Sequence, residues 1–69
     1  MPLIYAPEGQ KLSITHVAGQ PAMRRRLQEL GFVKGESLQI ISHLGGNLIV
    51  RIKDCRVALG RDLAVNILV

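Results

Sequence analysis

Short runs of alternating apolar and polar residues, mostly joined by tight turns, with a basic surface and only two aromatic side chains, predict a mainly β fold. The expected form is a small SH3-like barrel of about five strands, with one α-helix after the first strand and a short helical turn before the last. Strands this short expose their edges unless the sheet closes on itself, and a barrel supplies that closure. At 69 residues the chain reads as one domain, residues 1–69, with residues 1–9 as an N-terminal extension or loop. A chain of this length buries roughly 60% of its extended surface, enough for one core but not for a core plus a deep catalytic cleft.

Each element has a local signal. Lys11 to Val17 places Leu12, Ile14 and His16 on one side and Ser13 and Thr15 on the other, the period of a half-buried strand. Ala18-Gly19-Gln20-Pro21 breaks it, and Pro21 suits the first turn of a helix, where a missing N–H loses no hydrogen bond. From Ala22 to Leu30, the residues Met23, Leu27 and Leu30 recur at spacings of four and three and form one apolar stripe. Gly31 ends this helix in the left-handed conformation, and Phe32 folds back onto Leu27 in a Schellman arrangement.

Ser37 to Ser42 follows as a strand, and Leu44-Gly45-Gly46-Asn47 has the chemistry of a hairpin turn. Leu48 to Ile52 comes next, with Leu48, Val50 and Ile52 facing one way. Lys53-Asp54-Cys55 turns the chain into a short strand from Arg56 to Leu59. Gly60 to Ala64 makes one helical turn, and Val65 to Val69 closes the chain as a strand with Val65, Ile67 and Val69 inward.

Nine basic side chains against five acidic ones give a net charge of +4, which favours an acidic partner: nucleic acid, an anionic membrane face or an acidic protein patch. No apolar run approaches the ~20 residues of a membrane span. The first residues lack the basic start and apolar block of an export signal, and the single Cys55 permits no internal disulfide. A cytoplasmic location is the expectation.

Within Arg24-Arg25-Arg26, a rotation of ~100° per residue sends Arg24 and Arg25 to solvent and sets Arg26 beside the apolar stripe. Arg24 and Arg25 are the better partner-binding candidates. Ile41, Ile49 and Leu68 fall out of phase with the inward residues. Together with Leu3 and Ile4 they form a patch for a partner or for self-association, or lie beneath the N-terminal segment.

His16, His43 and Cys55 are the only soft metal ligands, and their spacing matches no metal motif, so no dedicated metal site is expected and His16 and His43 are only weak candidates. His16 reads as a core-edge residue and His43 as a hairpin residue. Cys55 has no adjacent base, Gly31 and Gly35 do not frame a nucleotide loop, and no carboxylate pair shares an element. The chain therefore reads as a non-enzyme without a cofactor. A small basic barrel that binds nucleic acid is the alternative, but single-strand binders stack bases on aromatic platforms, and Tyr5 and Phe32 are poorly placed to form one.

Two segments carry a family resemblance: Arg25-Arg26-Leu27-Gln28-Glu29-Leu30-Gly31-Phe32-Val33-Lys34-Gly35-Glu36, and, after a hairpin, Val57-Ala58-Leu59-Gly60-Arg61-Asp62-Leu63-Ala64-Val65-Asn66-Ile67-Leu68-Val69. In this order and at this separation the sequence resembles the FeoA family from about Gly9 to Val69. The resemblance implies an SH3-like cytoplasmic accessory of the membrane ferrous iron transporter FeoB, acting on its cytosolic GTPase region at the inner face of the membrane. The same domain resembles the C-terminal module of iron-dependent repressors of the DtxR type. No helix-turn-helix precedes it here, and the chain has its own Met1, so the transport accessory is the favoured expectation.

Overall fold

Two antiparallel ladders organise the chain, and a computed structural model describes all of residues 1–69. The larger sheet joins β1 (Lys11–Ser13), β3 (Ser37–Leu44), β4 (Asn47–Ile52) and β5 (Cys55–Leu59) in the order β1-β3-β4-β5. The smaller pairs β2 (His16–Val17) with β6 (Ile67–Leu68). Helix α1 (Pro21–Glu29) follows β2, a helical turn α2 (Arg61–Ala64) precedes β6, and a 3-10 turn covers Leu3–Tyr5.

There are six strands, not about five, because the expected first strand changes sheets at a corner. The Ile14 N–H donates to the Glu36 carbonyl (2.9 Å), whereas the Thr15 N–H donates to the Leu68 carbonyl (2.8 Å). That single peptide step resets the inside-outside alternation. Val17 packs against the core, and His16 is exposed, which corrects its placement at the core edge.

Helix α1 starts with Pro21 at its first turn and stops as its sequence demands. Gly31 has φ +102°, the Phe32 N–H donates to the Leu27 carbonyl (2.9 Å), and the Gly31 N–H donates to the Gln28 carbonyl (3.0 Å). This pair of bonds is the Schellman motif, and it buries Leu27 and Phe32 completely. Leu30 departs from the expected stripe: it is the C-cap residue and stays partly exposed, because the reversal at Gly31 brings Phe32 in its place.

The β3–β4 ladder contains a bulge, since Ile40 pairs with Val50 but Ser42 pairs with Ile49. The extra residue, Ile41, adds local twist and helps a small sheet curve. Strand β3 runs two residues beyond its expected end, to Leu44, before the Gly45–Gly46 turn. Val65 is a second correction. It caps α2 with helical backbone angles and is exposed, so only Ile67 and Val69 of the expected inward trio reach the core.

Residues 1–9 are part of the fold. Leu3 and Ala6 are buried, the Met1 ammonium donates to the Val69 carbonyl (2.8 Å), and the Val69 N–H donates to the Met1 carbonyl (2.8 Å). Further on, the Gly9 N–H donates to the Ile40 carbonyl (2.8 Å), and the Glu8 carboxylate accepts from the His43 N–H (3.0 Å). The core is wholly apolar, from Leu3 and Ile14 through Leu27, Phe32, Ile40 and Val50 to Leu59 and Ile67.

Candidate functional site

The corner at Thr15 and the reversal at Gly31 together shape the main groove. The corner turns His16 outward on β2, and the helix stop carries Val33 and Lys34 back past the helix. Between them the i, i+3, i+4, i+7 positions Pro21, Arg24, Arg25 and Gln28 form one wall. The groove holds about 410 Å³, with Val17 and Val33 supplying its apolar surface above the fully buried Phe32.

Its charge is one-sided. Arg24, Arg25 and Lys34 line it, no carboxylate does, and none of the three makes an ion pair. Such a concavity concentrates positive potential and suits an anionic group with an apolar neighbour. Gly19 and Asn66 brace the loop that enters α1. A Cβ on Gly19, which has φ +100°, would stand 3.1 Å from Asn66 Cγ, and the Asn66 carbonyl accepts from the Ala18 N–H (2.7 Å).

Of the residues singled out in sequence, Arg24 and Arg25 meet in this groove with His16. Leu68 is the cross-strand partner of His16 and is half-buried, and Pro2 bridges to it from the N-terminal segment. Ile41 and Ile49 lie elsewhere, half-buried at the β3–β4 bulge. Leu3 is in the core, so the five aliphatics do not make one exposed patch. Arg26 lies beside Met23, Asp62 and Leu63 in a separate shallow cavity, next to the stripe as its helical phase requires.

His43 borders a third cavity with Ile4 and Arg61, apart from His16, and no three His, Cys, Asp or Glu side chains come together. Cys55 is exposed at the start of β5. Sequence reasoning missed Lys34, which lies between the expected helix stop and the strand that starts at Ser37. Its signal was its place just after the Gly31 reversal, which returns the chain along the helix.

The chain is thus a small SH3-like protein with a one-sided cationic groove beside its longest helix. The FeoA domain family model matches residues 1–69, and the chain belongs to the FeoA family. A Methanocaldococcus jannaschii protein named as an Fe(2+) transport protein A is 31% identical over 68 residues, spanning 99% of this chain and 83% of the relative. FeoA of Stenotrophomonas maltophilia, described as an SH3 domain protein and solved in complex with zinc, is 32% identical with a TM-score of 0.83, covering 99% of this chain and 87% of that one. The Chlorobium tepidum FeoA protein is 30% identical with a TM-score of 0.87, covering 99% and 67%. A manganese-dependent transcriptional repressor shares the fold at 21% identity, with a TM-score of 0.88 over 97% of this chain and 39% of the repressor.

Proposed function

We propose that this chain is a non-enzymatic cytoplasmic accessory of ferrous iron uptake, docking through the α1 groove on the cytosolic GTPase region of a FeoB-type transporter. The observation that carries the reading is the family relationship over the whole chain, with a relative named for Fe(2+) transport. The groove supports the mode of docking. Arg24, Arg25 and Lys34 complement an acidic surface, and Val17 and Val33 accept an apolar side chain from it. Docking regulates the transporter only if the affinity differs between at least two of its states, since a ligand shifts an equilibrium by that difference alone.

The test is an NMR titration of labelled protein with the purified cytosolic domain of FeoB from the same source, with and without nucleotide, at physiological salt. The expected shifts cluster on His16, Arg24, Arg25, Gln28 and Lys34. Reversing both arginines (R24E/R25E) leaves the fold intact and weakens docking by about tenfold or more, as loss of complementary interface charge does. Unchanged affinity in that variant rules out the groove. Binding to duplex or single-stranded nucleic acid that collapses between low and moderate salt would instead mark a phosphate-driven partner.

A further inference from the structure

The outer face of the four-stranded sheet carries a charged row that neither the core nor the α1 groove uses. Register sets Lys11 beside Gln39, Gln39 beside Arg51, and Arg51 beside Arg56, one residue from each strand in the order β1-β3-β4-β5. Opposed residues of antiparallel strands share a face, and the alternating positions Leu38, Ile40, Val50 and Ile52 fill the core, so the row faces outward. Like charges directly opposed across strands destabilise a sheet. Arg51 and Arg56 are nevertheless opposed, both are exposed, and neither has a carboxylate partner, the one ion pair of the molecule being Lys53 with Glu36. Two residues along, the next row is apolar: Ile49 pairs with Ala58, with Ile41 in the adjoining bulge.

Strand β5 is also an open edge. It is the outermost strand, and no backbone bond from outside the sheet reaches it. The two-residue turn makes Ile52 and Cys55 the closing hydrogen-bonded pair. Alternation along the ladder then directs the N–H and C=O of Arg56 and of Ala58 away from β4. Both residues are exposed, so four backbone groups are free to pair.

We propose that β5 accepts an extended acidic segment of a partner protein as an added strand. A carboxylate of that segment lies opposite Arg56, and an apolar residue two positions along lies opposite Ala58. Strand addition satisfies the free backbone groups, and the alternate side chains set specificity. The charge selects the occupant. A second copy pairing β5 with β5 would bring four arginines onto one continuous face. Nucleic acid would find no aromatic platform in either row. Guarding the edge against aggregation needs only Arg56, because a charge on the edge strand itself suffices, and leaves the cost of Arg51 opposite it unexplained.

The test uses the whole protein and a defined probe: a seven-residue peptide, acetylated and amidated, of threonines with one glutamate and one leucine two positions apart. The peptide should shift Arg51 and Cys55 to Leu59, and should slow amide exchange at Arg56 and Ala58 by about fivefold or more at saturation, as new backbone bonds protect amides. The R51E/R56E variant should lose this response and gain one to the same peptide with lysine in place of glutamate. The R24E/R25E variant should respond as the wild type does, which separates this edge from the α1 groove. Shifts without slowed exchange at Arg56 and Ala58, an unaltered response in R51E/R56E, or no response would overturn the proposal. So would concentration-dependent slowing of those amides without peptide, which would give the edge to a second copy.

Discussion

The turns at Gly45–Gly46 and Lys53–Asp54 each join two strands through two residues, and all four residues have positive φ: 57° and 86° in the first, 50° and 63° in the second. The same backbone is reached by different means. In the first turn glycine adopts the left-handed conformation freely, and nothing stands within 4 Å of where a side chain would begin. In the second, two residues with side chains take a conformation that costs L-residues about 1–2 kcal/mol each, less for Asp. The second turn lies beside the helix stop and Glu36. The Lys53 stem lies 3.7 Å from the place a Cβ on Gly31 would occupy, and its Nζ is 3.8 Å from the Glu36 carboxylate. One turn is a local property of its sequence, and the other has the helix stop beside it.

The largest test of this comparison is at the helix stop itself. Gly31→Val puts a β-branched side chain at φ +102° and destroys the Schellman stop, so it should lower stability by about 2–4 kcal/mol in denaturant unfolding. Because the added side chain would grow toward the Lys53 stem, amide exchange should also quicken at Lys53 and Asp54 while the Gly45–Gly46 turn changes less. Equal loosening of both turns would show that Gly31 supports the fold at large and not the second turn in particular.

Asp54→Gly is the next test, and it acts in the opposite direction. Asp54 is exposed and makes no hydrogen bond or ion pair through its side chain, so glycine relieves strain without removing a contact. The gain is offset by the greater freedom of glycine in the unfolded chain, and a rise of about 0.5–1 kcal/mol is expected. A loss of stability would mean that the Asp54 side chain holds the turn.

The same contrast separates what the sequence disclosed from what it did not. The helix stop and the diglycine turn were legible because glycine at a fixed offset forces the backbone there, whatever lies around it. Arg24 and Arg25 were legible as solvent-facing residues because helical phase alone places them. His16 was misplaced because changing sheets at Thr15 depends on which strand lies opposite, and the alternation of Leu12, Ile14 and His16 gives no sign of it. The opposed Arg51 and Arg56 went unseen for a smaller reason. Lys53-Asp54-Cys55 read as a three-residue turn, whereas two left-handed residues suffice and Cys55 already pairs with Ile52. One residue of turn length decides which side chains face each other across a hairpin.

The smallest expected effect tests which of the two Lys53 contacts matters. The Nζ–carboxylate separation of 3.8 Å is long for a hydrogen bond, and the Lys53 and Glu36 side chains are 59% and 29% exposed. Solvent therefore screens the pair, and Glu36→Gln, which keeps the shape and removes the charge, should lower stability by less than about 0.5 kcal/mol, with the difference fading in high salt. Exchange at Lys53 and Asp54 should then stay close to that of the wild type, because the stem keeps its place beside the helix stop. A loss above about 1 kcal/mol, persisting in high salt, would exceed what an exposed pair supplies. It would assign the support of the strained turn to Glu36, and with it the register that sets Arg51 opposite Arg56.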